Sequence, residues 1–138
     1  MAEVTKILNL KRLERRLRRI PIEVRQAATQ TLNRNADELV AMQKRLVPVE
    51  DGTLQNSIKK QRGSNELQVK VVAGGSATTR AVRNGASATY DYALAQEFGT
   101  QDMPANPFFY PSYRALRKRF KGRVTRETRK AIKKAVSG

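Results

Sequence analysis

The sequence of 138 residues contains neither cysteine nor histidine. The lack of cysteine excludes disulfides, thiolate nucleophiles, zinc fingers and iron–sulfur centres, and it fits a reducing cytoplasm. The lack of histidine excludes Ser-His-Asp triads, HExxH zinc sites and an imidazole general base. The catalytic and metal sites that need a thiol or an imidazole are therefore excluded.

Large apolar residues are scarce as well. Leu, Ile, Val and Phe make up 31 of the 138 residues, slightly above the level at which a high net charge indicates disorder. No uncharged run approaches the length of a membrane span, and residues 1–20 lack the apolar run of a signal peptide. We therefore expect a single domain over 1–138 with a modest core, no secretory signal and no membrane partner.

Basic residues dominate the charge, with 28 Lys or Arg against 12 Asp or Glu and a net charge of +16. Residues 1–46 carry +6, residues 47–113 carry zero and residues 114–138 carry +10. The positive electrostatic potential of such a protein attracts nucleic acid, acidic protein surfaces or anionic lipid. The same pattern is also typical of solvated helix faces that keep a protein soluble.

Apolar residues at steps of three or four predict three helices, over 1–20, 21–47 and 111–136. Pro48 ends the second helix, and Gly122 marks a possible kink in the third. The first and third helices are strongly basic on their remaining faces.

The centre of the chain predicts β structure and irregular segments. Alternating apolar residues indicate an antiparallel hairpin over 57–73. Residues 47–58 are typical of a turn, in which Gly52 takes a positive φ. Residues 74–89 predict a loop that is mobile in the monomer, because it contains almost no large apolar residue. Residues 90–98 predict a short helix or strand.

These elements favour an α+β fold, in which a long N-terminal helix and a basic C-terminal helix pack on a small antiparallel β-sheet. We expect the hairpin to pack against the helix at 21–47.

Carboxylates are the remaining candidates for catalysis. Glu50–Asp51 and Glu97–Asp102 resemble half-sites of glycosidases or metal nucleases, but neither spacing is diagnostic. Such acids are more often turn, cap or ion-pair residues. The glycines form no phosphate-binding loop. We therefore expect no enzyme activity, no metal and no cofactor.

Two segments carry a more specific signal, VPVEDGTLQNSI (47–58) and YALAQEFGTQDMPANPFFYPSYRAL (92–116). They resemble the tail-completion, or minor tail protein Z-like, family of long-tailed bacteriophages, with its patterns "APVDTGxLxxSI", "YAxxvEfGT" and "mpaqPFlrPA". The departures are Glu50-Asp51 for Asp-Thr, Phe109-Tyr110 for Leu-Arg, and Ser112 for Ala. The matching residues that we take as assembly candidates are Pro48, Gly52, Leu54, Ile58, Tyr92, Glu97, Phe98, Gly99, Thr100, Pro107, Phe108 and Pro111.

The resemblance implies a structural virion protein at the head-proximal end of the tail, in the neck. It also implies a ring, expected to be a hexamer, that completes the tail and joins it to the head. The implied partners are other neck, tail-tube or head-connector proteins, and assembly would take place in the host cytoplasm. The charge alone favours a rival function, that of a small, non-specific nucleic-acid-binding protein.

Two features of the motif segments leave alternatives open. Glu97 and Phe98 come just before Gly99. They predict either a capped helix end with Phe98 in the core, or an ion pair between Glu97 and an arginine of a neighbouring subunit. The proline-flanked aromatics at 107–111 suit either an interface or packing within the subunit.

The C-terminal helix supplies a separate set of contact candidates. Its exposed cations are predicted to contact packaged DNA or an acidic neighbouring subunit, with these residues as candidates: Arg117, Lys118, Arg126 and Lys130.

Overall fold

The computed structural model describes residues 21–48, 52–81, 85 and 87–137. The basic helix predicted at 1–20 and the pair Glu50–Asp51 therefore lie outside the described residues.

A long helix, α1, spans Ile22–Leu46, where the apolar pattern predicts 21–47. Pro21 precedes the first turn with φ −54°, and Glu23 lies favourably near the positive end of the helix dipole. Val47 is extended, as expected for a residue that precedes proline, so the helix ends there.

Residues 47–58 are not only a turn, because a short helix, α2, spans Thr53–Ser57. Gly52 caps this helix with φ 82°, so the predicted positive φ is confirmed. The sequence pattern missed the helix because five residues are too few to show a helical period.

Four short strands form two separate two-stranded antiparallel sheets, where the sequence predicted one. Strand β1 spans Lys59–Arg62 and pairs with β2, Val69–Val72. Strand β3 spans Thr79–Ala81 and pairs with β4, Thr89–Asp91. The first hairpin packs on α1, where Lys60 Nζ lies 2.8 Å from Asp37 Oδ1.

The segment predicted as a structureless loop, 74–89, is structured in most of its described part. A 3₁₀ turn over Ser76–Thr78 leads directly into β3, and β4 begins at Thr89. The apolar pattern could not indicate these elements, because their residues are small or polar and their order comes from hydrogen bonds.

Two further helices complete the chain. Helix α3 spans Tyr92–Phe98, and helix α4 spans Phe109–Ser137 and continues through Gly122. Helix α4 begins two residues before the predicted 111–136. The fold class is thus confirmed as α+β, with a long N-terminal helix, a basic C-terminal helix and small antiparallel sheets.

Helices α1 and α4 pack antiparallel along a seam that contains polar groups. Gln43 Nε2 donates to the carbonyl oxygen of Phe109 at 3.2 Å, near one end of the seam. Further along, Asn35 Nδ2 approaches the carbonyl oxygen of Phe120 at 3.4 Å, and Arg123 Nη1 donates to Asn35 Oδ1 at 2.8 Å. These directional bonds fix the register of the two helices, which apolar contacts alone would leave free to slide.

Candidate assembly interface

Residues of the three family patterns, although far apart in sequence, meet in one hydrophobic core. Ordered along the chain, its buried members are Val47, Leu54, Ile58, Ala73, Ala93, Phe108 and Phe109. Phe108, at 1% exposure, is the largest fully buried side chain of the described residues. The residues that carry the family resemblance therefore mainly build the fold, and only part of them is free to contact a neighbour.

Glu97 links the second motif to the third. Its carboxylate is buried, and Oε1 accepts the backbone N–H groups of Phe108 at 3.0 Å and Phe109 at 2.7 Å. Oε2 accepts the N–H of Tyr110 at 3.2 Å. The first amides of α4 have no partner within the helix, and the helix dipole favours a negative charge there. The role that the geometry gives Glu97 is therefore to cap α4 from within the subunit.

Gly99 ends α3 with φ 78°, and its N–H donates to the carbonyl oxygen of Ala95 at 2.7 Å. A Cβ atom at this position would lie 2.8 Å from the backbone nitrogen of Ala105, so only glycine fits. The N–H of Asn106 then donates to the carbonyl oxygen of Gln96 at 2.9 Å. The connector thus folds back along α3 and brings α4 to Glu97.

Of the two alternatives for this helix end, the one that places Phe98 in the core is wrong. Its side chain is 64% exposed, and its ring centroid lies 6.1 Å from that of Tyr110. Residues four apart share a face of a helix, so Ala93 and Glu97 face inward together, whereas Leu94 and Phe98 share the outward face. Leu94, one turn earlier, is also exposed. We call Phe98 and Leu94 the α3 patch.

The remaining assembly candidates are spread over the surface and the core margin. Thr100 and Pro107 are exposed, Tyr92 is packed against the core, and Pro48 and Pro111 are half-buried. Thr100 and Met103 exchange backbone hydrogen bonds within the connector.

Asp91 holds β3, the 3₁₀ turn and α3 together. Oδ1 accepts from Thr78 Oγ1 at 2.6 Å and from the N–H of Ala93 at 2.9 Å, and Oδ2 accepts from the N–H of Gly75 at 3.0 Å. Burial raises the pKa of Asp91, but the hydrogen bonds from Thr78, Ala93 and Gly75 lower it more, so this pKa lies below its ordinary value.

This pKa shift gives the first prediction. At pH 7 we expect Asp91→Ala to reduce the free energy of unfolding by about 1–2 kcal/mol. Because the folded pKa is depressed, the carboxylate stabilises the fold above its unfolded pKa, near 4, and this stability is lost as the pH falls through the folded pKa. The difference between wild type and Asp91→Ala, measured by urea unfolding, should therefore narrow below about pH 4. A constant difference down to pH 2 would contradict this role.

Two cations of α4 pair with an acidic residue of α1. Arg123 Nη1 lies 2.8 Å from Glu38 Oε2, and Arg119 contacts Glu38 Oε1. The side-chain hydrogen bond from Arg123 lowers the pKa of Glu38 more than burial raises it. This pairing joins α1 to one edge of α4.

The four predicted contact residues of α4 are all exposed: Arg117, Lys118, Arg126 and Lys130. Only weak contacts involve two of them, since Glu127 Oε1 lies 3.8 Å from Arg126 Nε and 3.6 Å from Lys130 Nζ. Lys118, Arg126 and Lys130 line one shallow basic surface along α4, whereas Arg117 lies outside it.

Three structural residues were missed by the sequence reasoning. Asn35 and Gln43 lie on the buried stripe of α1, and a polar residue at an apolar stripe position is the signal that could have identified them. Asp91 carried no pattern beyond its place before an apolar segment.

The described residues contain no group of three or more acids that could hold a metal ion. Within the same ranges, no helix has the length and hydropathy needed to cross a membrane.

Comparison with known families adds one finding. A model of the HK97-gp10-like family, described as "Bacteriophage HK97-gp10, putative tail-component", matches residues 11–99. This span covers well over half of the chain, and it includes the segment 47–58 and residues 92–99 of the segment 92–116. No curated protein and no solved structure matches the chain.

Proposed function

Because this chain belongs to the HK97-gp10-like family of bacteriophage tail components, we propose that it forms a ring in the neck, where it completes the tail and joins it to the head. As a tail component it is a virion protein. Its role is assembly rather than catalysis, and its partners are further copies of itself, expected as a hexamer, and adjoining neck, tail-tube or head-connector proteins. Assembly takes place in the host cytoplasm.

The α3 patch is the observation that carries the proposal. Phe98 and Leu94 expose apolar side chains one helical turn apart. Their backbone is held in place, since Glu97 is bonded to the start of α4 and Gly99 ends the helix against the connector. A rigid apolar anchor loses little conformational entropy when it docks, so it suits a contact between subunits.

The charge of the subunit sets a condition on this ring. Copies with a net charge of +16 repel one another, so a closed ring needs salt, acidic neighbouring proteins or DNA to offset the repulsion. The basic surface of α4 is the part of the described chain with the most cations, and we place it against an acidic neighbour or the DNA that passes through the neck.

Phe98→Glu tests the ring. We expect the wild-type protein to give one closed oligomer by native mass spectrometry. We expect Phe98→Glu to weaken self-association at least about a hundredfold, because a charge replaces the aromatic anchor that ring formation would bury. The same variant should yield particles with unjoined heads and tails by electron microscopy.

A matched control keeps the test specific. Val136→Glu introduces the same charge at a residue that is 83% exposed near the end of α4, and it should assemble as the wild type does. If Phe98→Glu assembles normally, or if the wild type stays monomeric under every salt condition, the ring at this patch is wrong.

A non-specific nucleic-acid-binding protein is the second candidate, favoured by the exposed cations of α4. Gel-shift titration over a salt series separates the two functions. Tight binding to DNA with a steep salt slope by a permanent monomer would support this candidate and overturn the neck ring.

A further inference from the structure

An open groove of about 940 Å³ lies between α1, β2 and α4, away from the α3 patch. Leu32 of α1, Val71 of β2, and Tyr113 and Val124 of α4 line the groove, and none of them is fully buried. Tyr113 is 46% exposed. The groove therefore leaves apolar surface of three elements uncovered.

The rim of this groove is basic. Arg117, Lys118 and Lys121 line it from α4, and none of the described residues that line it is acidic. Residues three and four apart on a helix are neighbours, so these cations form a short row along one edge of α4. On the opposite edge, Arg119 and Arg123 are paired with α1, whereas within the described residues no ion pair involves a rim cation.

We propose that this groove binds an acidic amphipathic helix of another protein. The apolar walls match the apolar stripe of such a helix, and the rim cations match carboxylates that flank the stripe. Because the described part of the groove carries cations and no acid, it attracts a negatively charged partner. This inference does not depend on the ring at the α3 patch. The rim shares Arg117 and Lys118 with the basic surface of α4, and the inference names an acidic helix as the neighbour of that part.

Charge excludes the other two occupants. Residues 1–20 contain seven basic and two acidic side chains, so this segment is repelled by the basic rim. A second copy does not offer an acidic helix either, since α1 contains four basic and three acidic residues and α4 contains eleven and one. An acidic partner is the occupant that complements both the walls and the rim.

The direct test uses a synthetic helical peptide of about 20 residues, with Leu at steps of three and four and Glu on the remaining faces. Binding to the full-length protein is measured by fluorescence anisotropy near physiological salt, and its location by methyl NMR. We expect saturable binding with shifts at Val69, Val71 and Val124. The same peptide with Lys in place of Glu should not bind. Absence of binding by the Glu peptide, or equal binding by both, overturns the proposal.

Charge reversal at the rim gives the decisive comparison. The triple variant Arg117→Glu, Lys118→Glu and Lys121→Glu should weaken the Glu peptide at least about tenfold, because attraction becomes repulsion. Tyr113→Ala removes an exposed apolar wall without changing charge, and it should weaken binding by about fivefold. Thermal unfolding of both variants establishes that they remain folded.

The control triple reverses the same number of charges on the same helix outside the groove, at Arg126, Arg129 and Lys133. It should change peptide affinity by less than about threefold. An equal loss in both triples would reduce the binding to general attraction by the net charge and overturn the proposal. NMR contacts between residues 1–20 and the groove would show that this chain fills it. Methyl shifts that change with protein concentration in the absence of peptide would show that a second copy fills it. Either result would overturn the proposal.

Discussion

Glu97→Gln is expected to lower the free energy of unfolding by about 2–4 kcal/mol. The carboxylate accepts from three successive backbone amides, those of Phe108, Phe109 and Tyr110. A glutamine has the same shape, but it offers one acceptor oxygen and turns an NH₂ group toward an amide donor. At least one buried N–H then loses its partner, and the charge that favours the helix N-terminus is gone. Urea unfolding followed by circular dichroism measures the loss.

The structural consequence should be local to the start of α4. Hydrogen exchange at Phe108, Phe109 and Tyr110 should accelerate more than exchange in α1. Asp102→Asn removes an exposed acid of the same connector and serves as the control, with an expected change within about 0.5 kcal/mol. If Glu97→Gln is as stable as this control, the carboxylate does not hold the end of α3 to the start of α4.

The second large effect concerns the basic surface of α4. Reversing four exposed cations to glutamate is expected to block the joining of heads and tails without unfolding the subunit: Arg117, Lys118, Arg126 and Lys130. Each lost surface pair contributes up to about 1 kcal/mol, so four reversals weaken a contact on the order of a hundredfold. Infectious particle yield and electron microscopy of unjoined tails measure the effect, and thermal unfolding measures the fold.

The control for this variant must lower the net charge equally at another place. Arg34, Arg45, Lys59 and Arg62 are exposed on α1 and β1, and reversing them changes the charge by the same amount. We expect this control to give near-normal particle yield. Normal yield from the α4 variant would mean that its charge only keeps the protein soluble, and equal losses in both variants would assign the effect to net charge.

The family and the fold class could be predicted from the sequence. The motif resemblance predicted a phage tail protein, and the match over residues 11–99 confirms it at the level of a tail component. The α+β class followed from three helical patterns and one alternating strand pattern, because burial of one helix or sheet face imposes a period on the sequence.

The candidate site was predicted less well, and Glu97 and Phe98 show why. Adjacent residues of a short helix point in different directions, and which of them is buried depends on where α4 begins. That information lies at Phe108 to Tyr110, across a connector that has no periodic pattern. The same reason explains why β3 and β4 were not predicted. The hydrogen bonds of Asp91 to Thr78 and Gly75 join residues that are far apart in the sequence and show no period.

The lack of cysteine and histidine by itself excluded the sites that need a thiol or an imidazole, and the apolar periods by themselves predicted the α+β class. Composition and period are properties of single segments, so the sequence displays them directly. The tertiary structure alone decided that the motif residues form one core, that Glu97 faces inward and Phe98 outward, and that a basic rim borders an apolar groove. Each of these depends on distances between segments far apart in the chain, which only packing and directional hydrogen bonds fix.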